Sequence, residues 1–172
     1  DISLLNGSRE HLESMIDEIC CIYNTDKPRT YRKLARRDYL NIARSKKRTT
    51  SKIRKAVKKQ LQYIRRDMNF VIKFVNEGKE LSSRHKLLLE TIKKLYEQQK
   101  YMYDNNVHSV PGRIVSISQP YIRPIVRGKA SAPVEFGAKF DLSLDENGLG
   151  RIEKLSFDAY NESDVLVDAA ER

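Results

Sequence analysis

Cysteine is scarce in this chain. Only Cys20 and Cys21 occur among 172 residues, and adjacent cysteines are poorly placed to bridge each other. There is no Cys-x-x-Cys spacing either. A disulfide framework and a cysteine-built metal site are therefore excluded, and a reducing, intracellular setting is expected. Long apolar runs are absent as well. Nothing approaches the roughly 18 consecutive apolar residues of a spanning helix. Asp1-Ile2-Ser3 also lacks the charged start and apolar stretch of a signal peptide. The reading is a cytoplasmic protein with no membrane partner. Gly128, Gly137, Gly148 and Gly150 do not form a phosphate-cradling loop, and His11, His85 and His108 are scattered, with no serine or cysteine in a nucleophile context. No internal repeat or low-complexity tract is present.

Acidic residues are missing where basic ones are densest. Net charge is +10, but residues 27–67 hold 17 Lys/Arg against 2 Asp/Glu, a local excess of +15. The remainder holds 16 against 21, a net of −5. A charged helix face on a soluble protein usually carries both signs. One that does not is either a solvated face or a surface that tracks the phosphates of a polyanion. The phosphate-tracking reading draws on Arg32, Lys33, Arg36, Arg37 and Arg44, then Lys46, Lys47 and Arg48, then Lys52, Arg54, Lys55, Lys58, Lys59, Arg65 and Arg66. With about six of them on phosphates, log K for DNA falls with log salt at a slope of roughly −5. Tyr31, Tyr39, Tyr63, Tyr96, Tyr101 and Tyr103 are available either to stack on bases or to cap a helical core.

Periodicity supplies the frame. Residues 8–23 read as a helix with Leu12, Met15, Ile16, Ile19 and Ile22 on one stripe and Ser8 as N-cap; Lys27-Pro28 breaks it. Residues 30–47 and 50–76 are the second and third helices, and Gly78 caps the third. A fourth opens at Ser82 or Ser83 and runs to about Val107. The short connection between the third and fourth favours an antiparallel pair. After Ser109 the period changes to that of strands, at 113–118, 134–144 and 150–157, with a turn at Asp145-Glu146-Asn147-Gly148 and a helix beginning near Glu162. This gives an α+β protein: a basic helical region (1–108), then a three-stranded antiparallel meander plus helix (109–172). The chain starts without methionine and stops at Ala169-Ala170-Glu171-Arg172 inside that helix, as a piece of a longer protein would.

Among the carboxylates of the strand region, Asp141 alternates with Phe140 and Leu142 and is the one weak candidate for a metal-binding side chain. Asp145 suits a turn and Asp158 a strand-to-helix connection, and no pair has the spacing that two-metal phosphoryl transfer needs. Arg113, Arg123, Arg127 and Lys129 sit among apolar residues and two prolines, as in a strand leading to a polyanion surface. The stretch VPGRIVSISQPYIRPIVRGKASAPVEFGAKFDLSLDENGLGRIEKLSFDAYNESDVL resembles the start of the catalytic domain of bacterial insertion-sequence transposases of the DDE class. KPRTYRKLARRDYL and KLYEQQKYMYDNNVHSVP resemble the helical region that precedes it. The resemblance implies an RNase H-like fold and a bacterial, cytoplasmic protein of a mobile element. It also implies Mg²⁺-dependent DNA cleavage and strand transfer by two Asp and a Glu, with the basic helices on the DNA of the element ends. In that pattern the first Asp stands directly before RIVSI. Gly112 occupies the position here, either as a lost carboxylate or as part of a Pro111-Gly112 turn. The second Asp and the Glu belong beyond Arg172. The expectation for this chain is DNA binding without catalysis and without a bound metal. The alternative is a non-catalytic or self-associating interaction protein, a homodimer among its forms.

Overall fold

The computed structural model describes residues 2–126, 134–158 and 160–170. Arg127 and Lys129 lie outside the described residues. The chain divides into two compact units, 1–111 and 112–172.

The first unit holds four helices: α1 (Ile2–Ile22), α2 (Arg32–Ala43), α3 (Thr50–Asn76) and α4 (Ser83–Asn105). Helix α1 begins six residues before the expected Ser8. Leu5, one heptad ahead of Leu12, extends the buried stripe, and the Ser8 hydroxyl donates back to the Leu4 carbonyl at 3.0 Å, the bond a mid-helix serine makes. The helix ends at Ile22, and Asn24 beyond it takes a positive φ of 46° before Pro28 is reached. Helix α3 has the expected bounds. Thr49 caps it by accepting the Lys52 amide at 3.4 Å, and Gly78 follows its end with φ 85°. Ser82 does the same for α4 through the His85 amide. Helix α2 is shorter than expected at both ends. Tyr31, in the left-handed conformation at φ 55°, precedes it. Its last turn is closed by the Arg48 guanidinium, which donates to the Ala43 carbonyl and to Ser45 O at 3.3 Å.

Helix α3 packs most extensively on α1, and α2 and α4 also lie against it. The α3–α4 pair is antiparallel: Arg54 near the start of α3 donates to Asn106 Oδ1 past the end of α4 at 3.2 Å. The α2–α3 pair is antiparallel too, since Arg66 reaches Thr30 O and Gln60 reaches Ala35 O. The core joins Leu5, Leu12, Met15, Ile16 and Ile19 of α1 to Ala35, Leu61, Ile64, Val71, Ile92 and Leu95. At roughly 1.5–3 kcal/mol for each large side chain buried, this stripe is the main stabilising term. Charge runs through the same core. Arg9 is 1% exposed and donates to Glu13 and to Asn6 Oδ1 at 2.9 Å. Asp67 is fully buried beside Arg66 Nε at 3.2 Å.

The second unit is mixed but is not a three-stranded meander. Strands β1 (Arg123–Val126) and β2 (Val134–Gly137) form one antiparallel sheet, and β3 (Lys139–Leu144) and β4 (Gly150–Ser156) form another, followed by α5 (Ser163–Ala170). The expected strand at 113–118 is not formed. Serines there make turns instead, Ser116 Oγ accepting the Gln119 amide at 3.2 Å and Ile122 N donating to Gln119 O. The strand that does form contains Pro124, tolerated because among the described residues β1 has a partner on one side only. The expected strand at 134–144 is divided at Gly137, whose φ of 147° is one that residues with a side chain rarely adopt. The chain passes there from one sheet to the other.

Candidate nucleic-acid interface

The basic region occupies α2, the following loop and the first half of α3. Its two acids are already engaged. Asp38, the only acid of α2, accepts Lys59 Nζ at 3.1 Å and the Tyr63 hydroxyl at 2.9 Å. Burial, and then that hydrogen bond, push the Tyr63 hydroxyl up to about 12. Asp67 is inside the core. Its burial raises the carboxyl to about 6 despite the adjacent Arg66, and its second oxygen has no hydrogen-bond partner.

The expected cations separate into two groups. Arg32 is structural: it forks onto both Asp17 oxygens at 2.6 and 2.7 Å and donates to Glu13 O at 3.1 Å. That contact holds the Asp17 carboxyl below its ordinary range and raises the guanidinium. Arg66 is engaged by Asp67 and by the Tyr31 ring, which lies between it and Arg29 at 4.7 and 4.5 Å. Arg48 closes α2, and Arg54 stacks on Tyr103 at 4.2 Å while bonding Asn106. Arg123, in the second unit, donates to Pro120 O and to Ile122 O at 3.2 Å.

The second group is Lys33, Arg36, Arg37, Arg44, Lys46, Lys47, Lys52, Lys55, Lys58 and Arg65. All are exposed, and none has a carboxylate within 4 Å among the described residues. Helix α3 presents four of them on two sides, together with the Asp38-paired Lys59. Lys52, Lys55 and Lys59 line a groove against α2 together with Asn41 and Ser45. Lys58 and Arg65 line a second groove against α4, beside Tyr96 and Tyr103. Helical spacing sends positions 52, 55 and 59 one way and 58 and 65 the other. Exposed ammonium and guanidinium groups without counter-charges offer several donors each to phosphate oxygens. The tyrosines divide between the two roles open to them. Tyr63 is engaged with Asp38 and Tyr31 with arginines, whereas Tyr101 is 56% exposed.

The catalytic expectations find little geometry. Gly112 stands in a turn with φ 59° and open space where a side chain would project, so the turn itself accounts for a glycine there. Asp141 lies on the covered face of the β3–β4 sheet. It is paired in register with Lys154 and sits beside Tyr160, whose hydroxyl is raised by desolvation and by that carboxylate. Asp145 is a turn former, accepting the amides of Asn147 and Leu149 at 2.9 and 2.8 Å. Among the described residues no group of three His, Cys, Asp or Glu side chains is placed to hold a metal ion, and no helix is long and apolar enough to cross a membrane. Comparison with known proteins yields no matching family model, no matching curated protein and no matching solved structure.

Proposed function

We propose that the chain binds DNA through the phosphate backbone, using the α2–α3 surface. In this reading it is the DNA-binding portion of a bacterial insertion-sequence transposase. The second unit is then the beginning of an RNase H-like domain whose metal-binding carboxylates this chain does not supply. The observation that carries the DNA-binding reading is a set of ten exposed cations, without carboxylate partners among the described residues, on two adjacent antiparallel helices and their connecting loop. Such a surface costs self-repulsion in the free protein and is relieved when phosphates replace the missing counter-charges. Two grooves flanking α3 align four of these cations, Lys52 and Lys55 on one side and Lys58 and Arg65 on the other. Most of the contacts available are to phosphate, so they position DNA and carry little sequence information. The transposase reading rests on the sequence resemblance across residues 107–172.

Fluorescence anisotropy with a labelled duplex tests the binding, with salt as the variable. The expected result is a slope of log K against log salt of roughly −5, as about six phosphate contacts would give. A slope near zero, or no binding at low salt, overturns the proposal. Incubating supercoiled DNA with the protein and Mg²⁺ or Mn²⁺ tests the second half. No nicking is expected, and metal-dependent cutting would show that the chain carries a catalytic site after all.

A further inference from the structure

The β3–β4 sheet is turned the opposite way from an ordinary amphipathic sheet. Along β3 the apolar positions are the exposed ones: Phe140, Leu142 and Leu144 are 56, 54 and 68% exposed, and the alternating Lys139, Asp141 and Ser143 are less so. Across the ladder Leu142 faces Ile152 and Phe140 faces Leu155, and these partners are 61 and 60% exposed. A bulge between Asp141 and Leu142 brings Leu155 and Ile152 onto one face despite their spacing of three. The polar face is covered along β3 and at Glu153, while Arg151 and Lys154 of β4 stay exposed. Lys139, with 12% of its side chain exposed, donates to Tyr160 O at 2.8 Å and pairs with Glu162 at 2.9 Å. The Tyr160 ring lies under both Lys139 and Lys154, at 4.4 and 4.3 Å. Ser143 donates to Glu153, itself nearly buried, at 2.7 Å.

We propose that this apolar face is the interface of a homodimer, in which two copies stack their β3–β4 sheets face to face. A two-stranded sheet is marginal in water unless its apolar face is buried, so this one needs a cover. The segment just after β4 already lies on the polar side. With roughly 100 Å² of apolar surface on each of the five side chains, the face covers about 500 Å², in the upper half of the range for an ordinary monomer surface. Two such faces bury about 1,000 Å², the area at which a specific interface begins. The face carries no charge, so it matches a copy of itself without placing like charges together. Its unit is close to neutral, with 8 Lys/Arg against 10 Asp/Glu in residues 112–172. The inference is independent of DNA binding, which uses other residues.

Sedimentation velocity of the full chain over a range of micromolar concentrations is the test. The expected result is a mass rising from monomer to dimer with concentration. Added salt should strengthen the association by screening the repulsion between two chains of net charge +10, opposite in sign to its effect on DNA binding. Leu142→Lys or Ile152→Lys should weaken the dimer at least about tenfold with helix content unchanged by circular dichroism. If a lysine variant misfolds, Leu142→Cys in a Cys21→Ser background decides the matter, because a bis-maleimide long enough to span the roughly 10 Å between stacked sheets then links facing copies covalently. A monomer at all concentrations, a dimer indifferent to both lysines, or no cross-linked species overturns the proposal. A monomer in which the face is covered by another protein or another segment counts against it equally.

Discussion

The helical unit and the β unit distribute polarity in opposite senses. In the helical unit the apolar stripes go inside, and a set of charges goes in with them: Arg9, Glu13 and Asp67 are all buried. Its outside then holds a large uncompensated positive charge, 25 Lys/Arg against 13 Asp/Glu in residues 1–111. In the β unit the polar side of a sheet is covered by Tyr160 and Glu162, and the apolar side faces water. Alternation in a sequence defines two faces without saying which of them meets the rest of the protein. The helical unit has enough surface to bury its own stripes. The β unit, with two sheets of two strands and one short helix, does not. One unit is left with surplus charge on its outside, and the other with exposed apolar surface.

The sharpest way to break the comparison is to empty the charged core. Arg9→Ala leaves Glu13 and Asn6 buried without their donor, and a loss of about 3–5 kcal/mol is expected, read from urea unfolding of the helical signal. A loss below 1 kcal/mol would mean that the charges are not structural. Next in size is the outer charge. The quadruple variant Arg36→Glu, Arg37→Glu, Lys55→Glu, Lys58→Glu should weaken DNA binding about a hundredfold at fixed salt, while melting temperature holds or rises as self-repulsion falls. Unchanged affinity would remove the α2–α3 surface from consideration.

Acidity offers a third probe. Asp67 holds its proton up to about 6 in the folded protein and only to 3.8 as an ordinary carboxyl. Between those values the folded state binds the extra proton, so stability rises as pH falls from about 7 to about 4, by roughly 2–3 kcal/mol. Asp67→Asn should abolish that rise. Asp17 acts in the other direction and in a lower window. Its carboxyl is depressed by Arg32, so its contribution is present above the ordinary value of 3.8 and is lost as pH falls through the lower folded value. The smallest effect belongs to the β unit. Leu144→Ser, at a position 68% exposed, should change the stability of the dilute chain by no more than about 0.5 kcal/mol. A larger loss at that dilution would show the face to be buried within a single chain.

Local signals in the sequence were legible to the degree that they were self-contained. Helix α3 could be bounded at both ends because Thr49, the apolar stripe and Gly78 all lie within its own stretch. The start of α1 was misread because Ser8, a good cap by type, is held inside a helix that Leu5 and the residues before it extend. Ile114, Val115 and Ile117 have strand preferences, but Ser116 Oγ competes for the backbone and turns the segment. At the interface, sequence showed where positive charge accumulates but not which cations remain available. Arg32 is engaged by Asp17, fifteen residues earlier, and Arg54 by Asn106, fifty-two residues later. Pairings at that separation leave no local trace. The inverted sheet was equally hidden, since covering it from the polar side depends on where Tyr160 and Glu162 come to rest.

The polar bonds that tie the four helices together also act as a stop against sliding. Apolar stripes repeat, and a helix displaced by one turn, about 5.4 Å, meets nearly as much greasy surface as before. Arg32 on Asp17, Gln60 on the Ala35 carbonyl and Arg66 on the Thr30 carbonyl do not repeat. A one-turn slip would part all three at once and strand the buried Gln60 amide and Ala35 carbonyl. The helical unit therefore has a single seating for α2 and α3, and the cations along both are presented at a fixed stagger, as teeth are on a rack.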